Sequence, residues 1–143
     1  MLGKVFGGLE QYAPLLIRLG LLAIFGVIGS QKLFGLFGGP GLDRTAEAFA
    51  AKDFPMPMFL ATVVGIGELG GGFLVGIGLL TRYAAGILCI IMLVAIIFAH
   101  GGRVFDGQQG LPALACLILA ISLLASGGGK ASLDRLFKID DWV

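Results

Sequence analysis

Glu68 is the residue around which any chemistry in this chain of 143 residues has to be arranged. It is the one charge in the apolar run from Met56 to Leu80, about twelve residues from either end, so at the helical rise it lies roughly 18 Å from each surface. An acidic side chain at the centre of a bilayer costs about 2.5–3.5 kcal/mol on insertion scales, so it is expected to face the bundle interior beside a partner or to carry a proton. The candidate partners are Arg18 and Lys32 in the preceding apolar run, which lie about 40° apart on a helical wheel and therefore share one face. By rise alone Glu68 stands roughly 8 Å in height from Arg18 and 13 Å from Lys32, and long side chains bring either into reach. In the competing reading, Arg18 and Lys32 snorkel to opposite surfaces. His100, the single histidine, ends the third apolar run on the side of Lys32. An imidazole there can take or give a proton near neutral pH, or can simply mark the interface. Taken together, Lys32, His100 and Glu68 form a polar cluster open to the outside and a candidate ligand-binding site.

The rest of the chain offers little other chemistry. One histidine excludes an all-histidine metal site or a bis-histidine haem within the chain. Cys89 and Cys116 sit in separate apolar runs without CxxC spacing, which predicts buried free thiols rather than a disulfide or metal knuckle. No catalytic residue and no metal ligand are assigned.

The elements that must position this cluster follow from composition. With 57% apolar and 13% charged residues and a mean hydropathy of +0.99, a water-soluble enzyme is excluded. Ten basic against nine acidic residues give a net charge of +1, too weak a field to collect nucleic acid. The pattern predicts an all-α integral membrane protein: a single domain over 1–143, a four-transmembrane-helix bundle with spans near 15–35, 57–80, 83–100 and 111–127, and a tail over 128–143. Lys4 and the run Leu19–Val27 resemble a signal peptide superficially, but Lys32 stands in the wrong place for cleavage, and the segment is read as a retained span. Leu42, Ala46, Phe49 and Phe54 at helical spacing predict a short interfacial helix in the first outer loop. Thr81 and Arg82 are read as a tight turn between the second and third spans. Ser132 is a candidate cap in a tail whose Leu133, Leu136, Phe137 and Trp142 lie against the membrane surface.

On the second span, Gly65, Gly67, Gly71, Gly72, Gly76 and Gly78 fall within about 100° of Glu68, with Ile66, Phe73 and Ile77 opposite. The pairs Gly67/Gly71 and Gly72/Gly76 are the small-xxx-small pattern of close helix crossing, although a glycine-lined groove would also admit a flat ligand. Six basic residues (Lys4, Arg18, Arg82, Lys130, Arg135, Lys138) against four (Lys32, Arg44, Lys52, Arg103) place both termini in the cytoplasm.

The runs RLGLLAIFGVIGSQKLFGLFGGPG, FPMP, GIGELGGGFLVGIGLLTRYAAGIL, IMLVAIIFAHG and KASLDRLF, in that order from Arg18 to Phe137, resemble the DoxX family of small four-helix bacterial membrane proteins. The resemblance rests on polar landmarks: Arg18, the QKLF run Gln31 to Phe34, the turn glycines Gly38, Gly39 and Gly41, the ELGGG run from Glu68, the LLTR turn ending in Arg82, and His100. Relatives often carry an acid just before the fourth helix, where this chain has Gln108, Gln109 and Gly110. The resemblance implies location in the bacterial inner membrane and association with a larger quinone-linked membrane oxidoreductase complex. A quinone is then the implied ligand, with Lys32 and His100 bonding its carbonyls and Glu68 exchanging a proton beside the ring. Without a haem, flavin or iron–sulfur motif, the chain is at most a subunit that receives electrons from a partner. Two other readings stand beside this one: a non-catalytic accessory subunit whose buried charges fix helix register, and a small-molecule or lipid transporter with Glu68 as its site.

Overall fold

Prolines and glycines set the helix ends. The computed structural model describes residues 8, 10–99, 101–102, 105 and 110–139. Lys4, His100, Arg103, Gln108, Gln109 and Trp142 lie outside the described residues. A 3-10 turn, Glu10–Tyr12, leads into α1, Ala13–Phe34, with Pro14 in its first turn. Proline is at home there, because a first-turn N–H has no intrahelical partner to lose. α1 stops at Gly35, whose φ of 68° is the left-handed conformation that glycine adopts without strain. A 3-10 turn, Leu36–Gly38, precedes α2, Gly41–Ala50. α3 spans Pro57–Ile77, again opened by proline and closed by a left-handed glycine, Gly78. α4, Thr81–Val94, continues as a π-helical turn, Ala95–Ala99. α5, Gly110–Ser126, and the one-turn α6, Leu133–Leu136, complete the fold.

α1, α3 and α4 with its π turn are long and apolar enough to cross a membrane. α5 has 17 residues, at the short limit for a span. The protein is an all-α, multi-pass membrane protein. Its four long helices run up and down, with α3 packed most extensively on α1, α4 on α3 and α5 on α4; α1 and α5 touch far less. Leu21, Phe25, Val75, Leu88, Met92, Ala120 and Leu123 fill the core. Ile66 and Phe73 are exposed on the opposite face of α3, toward lipid.

The glycines of α3 are packing residues. A Cβ on Gly72 would lie 2.7 Å from Phe25 Cβ, and one on Gly76 2.7 Å from Leu22, both on α1. A Cβ on Gly67 would lie 2.7 Å from Ile91, and one on Gly71 3.0 Å from Leu88, both on α4. Each glycine pair thus lets one neighbour approach, and side chains occupy the groove that the wheel suggested as a ligand site. Gly29 on α1 was not singled out by pattern, yet its Cβ would sit 2.7 Å from the backbone N of Leu69.

Two sequence expectations need correction. The turn between the second and third spans is Gly78–Leu80, and Thr81 and Arg82 already belong to α4. The cause comes from the tail: the Asp134 carboxylate accepts from Leu80 N at 2.5 Å and Thr81 N at 2.8 Å, satisfying N–H groups that the start of a helix leaves open. The interfacial helix ends at Ala50 rather than Phe54, because the chain reverses through Asp53 at φ 58° and lays Phe54 back on Phe49 at 5.2 Å. Ser132 caps α6 by accepting from Arg135 N at 3.3 Å, and Leu136 and Phe137 are exposed.

Candidate functional site

In an antiparallel helix pair each side chain leans toward its own helix N-terminus, so residues on α1 and α3 lean past one another. The contacts of Gly72 with Phe25 and Gly29 with Leu69 set the register and place Lys32 two to three residues, or roughly 4 Å, beyond Glu68 toward the Phe34 end. Lys32 leans back, Glu68 leans forward, and Lys32 Nζ donates to Glu68 Oε1 at 2.6 Å. Lys32 keeps 26% of its side chain exposed, whereas Glu68 keeps 1%. The sequence heights, which set Lys32 farther from Glu68 than Arg18, are therefore reversed. The reversal comes from the outer end, where α3 overhangs α1: Leu33, one residue before the end of α1, meets Gly65, eight residues past the start of α3 at Pro57.

Only one carboxylate oxygen is used by this pair. Glu68 Oε2 is fully buried with no hydrogen-bond partner among the described residues, an expensive arrangement for a polar atom. Glu68 lines a cavity of about 680 Å³ in the loosely packed gap between α1 and α5. Phe25 and Ile28 of α1, Met92 of α4, and Ala113, Cys116 and Leu119 of α5 form apolar walls, and Gln31, Lys32 and Glu68 are its polar lining. Exposed Ile24 and Ala115 lie at its edge, so the cavity opens sideways to the bilayer. None of the α3 glycines lines it. Such a site offers a ligand one free carboxylate oxygen, the remaining N–H groups of an ammonium and flat apolar walls. His100, the third candidate residue, falls outside the described residues. Cys89 and Cys116 are both free and buried.

Arg18 belongs to a different arrangement. It is 2% exposed and does not snorkel. Its Nε donates to Val75 O at 2.9 Å and Nη2 to Gly76 O at 2.8 Å, while Nη1 reaches Gly128 O at 3.0 Å and Ala131 O at 2.9 Å. The planar guanidinium thus closes the C-terminal end of α3 from the side, where unpaired carbonyls and the helix dipole favour a cation. The tail that supplies Gly128 and Ala131 also supplies Asp134, so one knot joins α1, α3, α4 and the tail. Sequence reasoning missed Asp134; the SLDRL run signals a local helix start, but its bonding partners fifty residues away carry no sequence mark.

Comparison with known proteins agrees with this architecture. The chain is similar to "Inner membrane protein YphA" of Escherichia coli (strain K12), with 27% identity over 141 residues that cover 91% of this chain and 94% of that protein. No solved structure matches it. The DoxX family model matches residues 13–101, a stretch that holds Arg18, Lys32, Glu68 and Arg82, and the chain therefore belongs to the DoxX family.

Proposed function

We propose that this DoxX-family protein binds a quinone head group in the cavity between α1 and α5, as the membrane subunit of a quinone-linked oxidoreductase system. The observation that carries the reading is Glu68, which lines a cavity of about 680 Å³ and whose Oε2 is buried without a hydrogen-bond partner among the described residues. A quinone bound there would supply the two-electron, two-proton carrier chemistry, with electrons delivered by a partner subunit. The chain's own residues do the rest. Lys32 donates to an oxygen of the ligand while holding Glu68 in place, Glu68 accepts or returns a proton at Oε2, and the apolar walls sandwich the ring and exclude water. The buried anchor at Arg18 and the tight glycine contacts favour a second reading, a rigid accessory subunit without its own ligand.

Equilibrium binding of a short-chain quinone to the purified protein separates the two. Wild type is expected to bind saturably, with Glu68→Gln, Lys32→Met and His100→Phe each weaker by ten- to a hundredfold, as loss of one charge-assisted hydrogen bond of about 1.5–3 kcal/mol requires. No saturable binding, or equal affinities in all four proteins, would leave the accessory reading standing.

The inner membrane as location, with both termini in the cytoplasm, is part of the same proposal, supported by the printed name of the relative and by the six-to-four basic count. In intact cells a membrane-impermeant thiol reagent is expected to label Ala51→Cys and leave Ala131→Cys untouched; both positions are exposed. Labelling of Ala131→Cys alone would reverse the orientation.

A further inference from the structure

We propose that a second cavity, at the opposite end of the bundle from the Lys32–Glu68 pair, binds the phosphate group of an acidic phospholipid. This cavity, of about 530 Å³, lies where the tail leaves α5, and Arg82, Lys130 and Arg135 line it beside Gln11, Pro14 and Ser126. No carboxylate lines it among the described residues. The nearby Asp134 is buried and bound to Leu80 N and Thr81 N. Lys130 is held toward the cavity by its bond to Gln11 Oε1 at 2.7 Å, which leaves two N–H groups for a ligand. A Cβ on Gly129 would lie 3.0 Å from Pro14, and one on Gly127 3.4 Å from Arg82 Nε, so the glycine loop leaves the guanidinium uncovered by side chains.

The depth of the cavity selects the ligand. Pro14 is the second residue of α1, Arg82 the second of α4 and Ser126 the last of α5. The three cations therefore sit where the spans leave the hydrocarbon, at the level of lipid phosphates. Exposed Tyr83 and Leu124, next to Arg82 and near Ser126, offer apolar surface to the acyl chains below. A free phosphate has the same charge chemistry but gains nothing from that surface.

The test is lipid titration of the full-length protein in mild detergent, read by native mass spectrometry. Wild type is expected to bind phosphatidylglycerol at least tenfold more tightly than phosphatidylcholine. Each cation beside an acidic lipid contributes roughly fivefold, so the double variant Arg82→Gln/Arg135→Gln should lose about 25-fold. The charge-matched double Arg44→Gln/Lys138→Gln, outside the cavity, should keep wild-type affinity. If the first double fails to fold by circular dichroism, Lys130→Gln replaces it with an expected loss of about fivefold. Equal affinity for the two lipids, or equal losses in both doubles, overturns the proposal. A millimolar concentration of inorganic phosphate that displaces phosphatidylglycerol would keep the phosphate site and assign its ligand to solution; failure to displace assigns it to the lipid.

Discussion

Arg18→Met is expected to destabilise the protein more than any other single substitution considered, by at least 3–5 kcal/mol, the cost of leaving a buried polar network without its charge. Four backbone carbonyls, of Val75, Gly76, Gly128 and Ala131, each lose a donor together. A typical domain has only about 5–15 kcal/mol to lose, so little folded protein should be recovered. Arg18→Lys should rescue part of the loss, because an ammonium keeps the charge but lacks the planar fork that reaches α3 and the tail at once. The checks are the thermal midpoint in mild detergent and tryptic cleavage at Lys130. An Arg18→Met protein with the wild-type midpoint and an uncut tail would show that the knot contributes nothing.

The second large effect concerns the intramembrane pair. Lys32→Met strands a carboxylate that is 1% exposed, which should cost about 3–5 kcal/mol. Glu68→Leu should also lower stability, but by less, because Lys32 is 26% exposed and can turn its ammonium toward the surface near the end of α1. Removing both charges, in Lys32→Met/Glu68→Leu, is expected to restore most of the wild-type stability, since an apolar pair of similar volume replaces a buried ion pair at small cost. Thermal unfolding of the four proteins in one detergent closes the cycle. Strictly additive losses would mean that the two side chains are not coupled.

What the sequence made legible was what repeats along a helix. Apolar runs marked the helices, and the wheel put Glu68 on the protein-facing side of α3 and its glycines at the crossings. It could not say that Gly72 and Gly76 serve α1 while Gly67 and Gly71 serve α4, because that depends on where two neighbours stand around one axis. Depth was harder. The start of α3 overhangs the end of α1, so that Gly65 meets Leu33, and this offset reversed the order of Arg18 and Lys32 relative to Glu68. Arg18 was least legible of all, because every one of its hydrogen bonds ends on a backbone carbonyl, and carbonyls are the same at every position in a sequence. The cavity lay beyond sequence for the same kind of reason: it is defined by a loose fit between α1 and α5, and a gap has no residue of its own.

The Arg18 knot also puts a clock into the protein's biogenesis. Arg18 and Gly128 are separated by 110 positions, so at ribosomal speeds Arg18 is synthesised about 5–20 seconds before that acceptor exists. Val75 and Gly76 follow Arg18 by 57 and 58 positions, so all four acceptors are missing for the first half of that interval and half of them for the rest. Only a chain translated past Ala131 holds all four acceptors of Arg18.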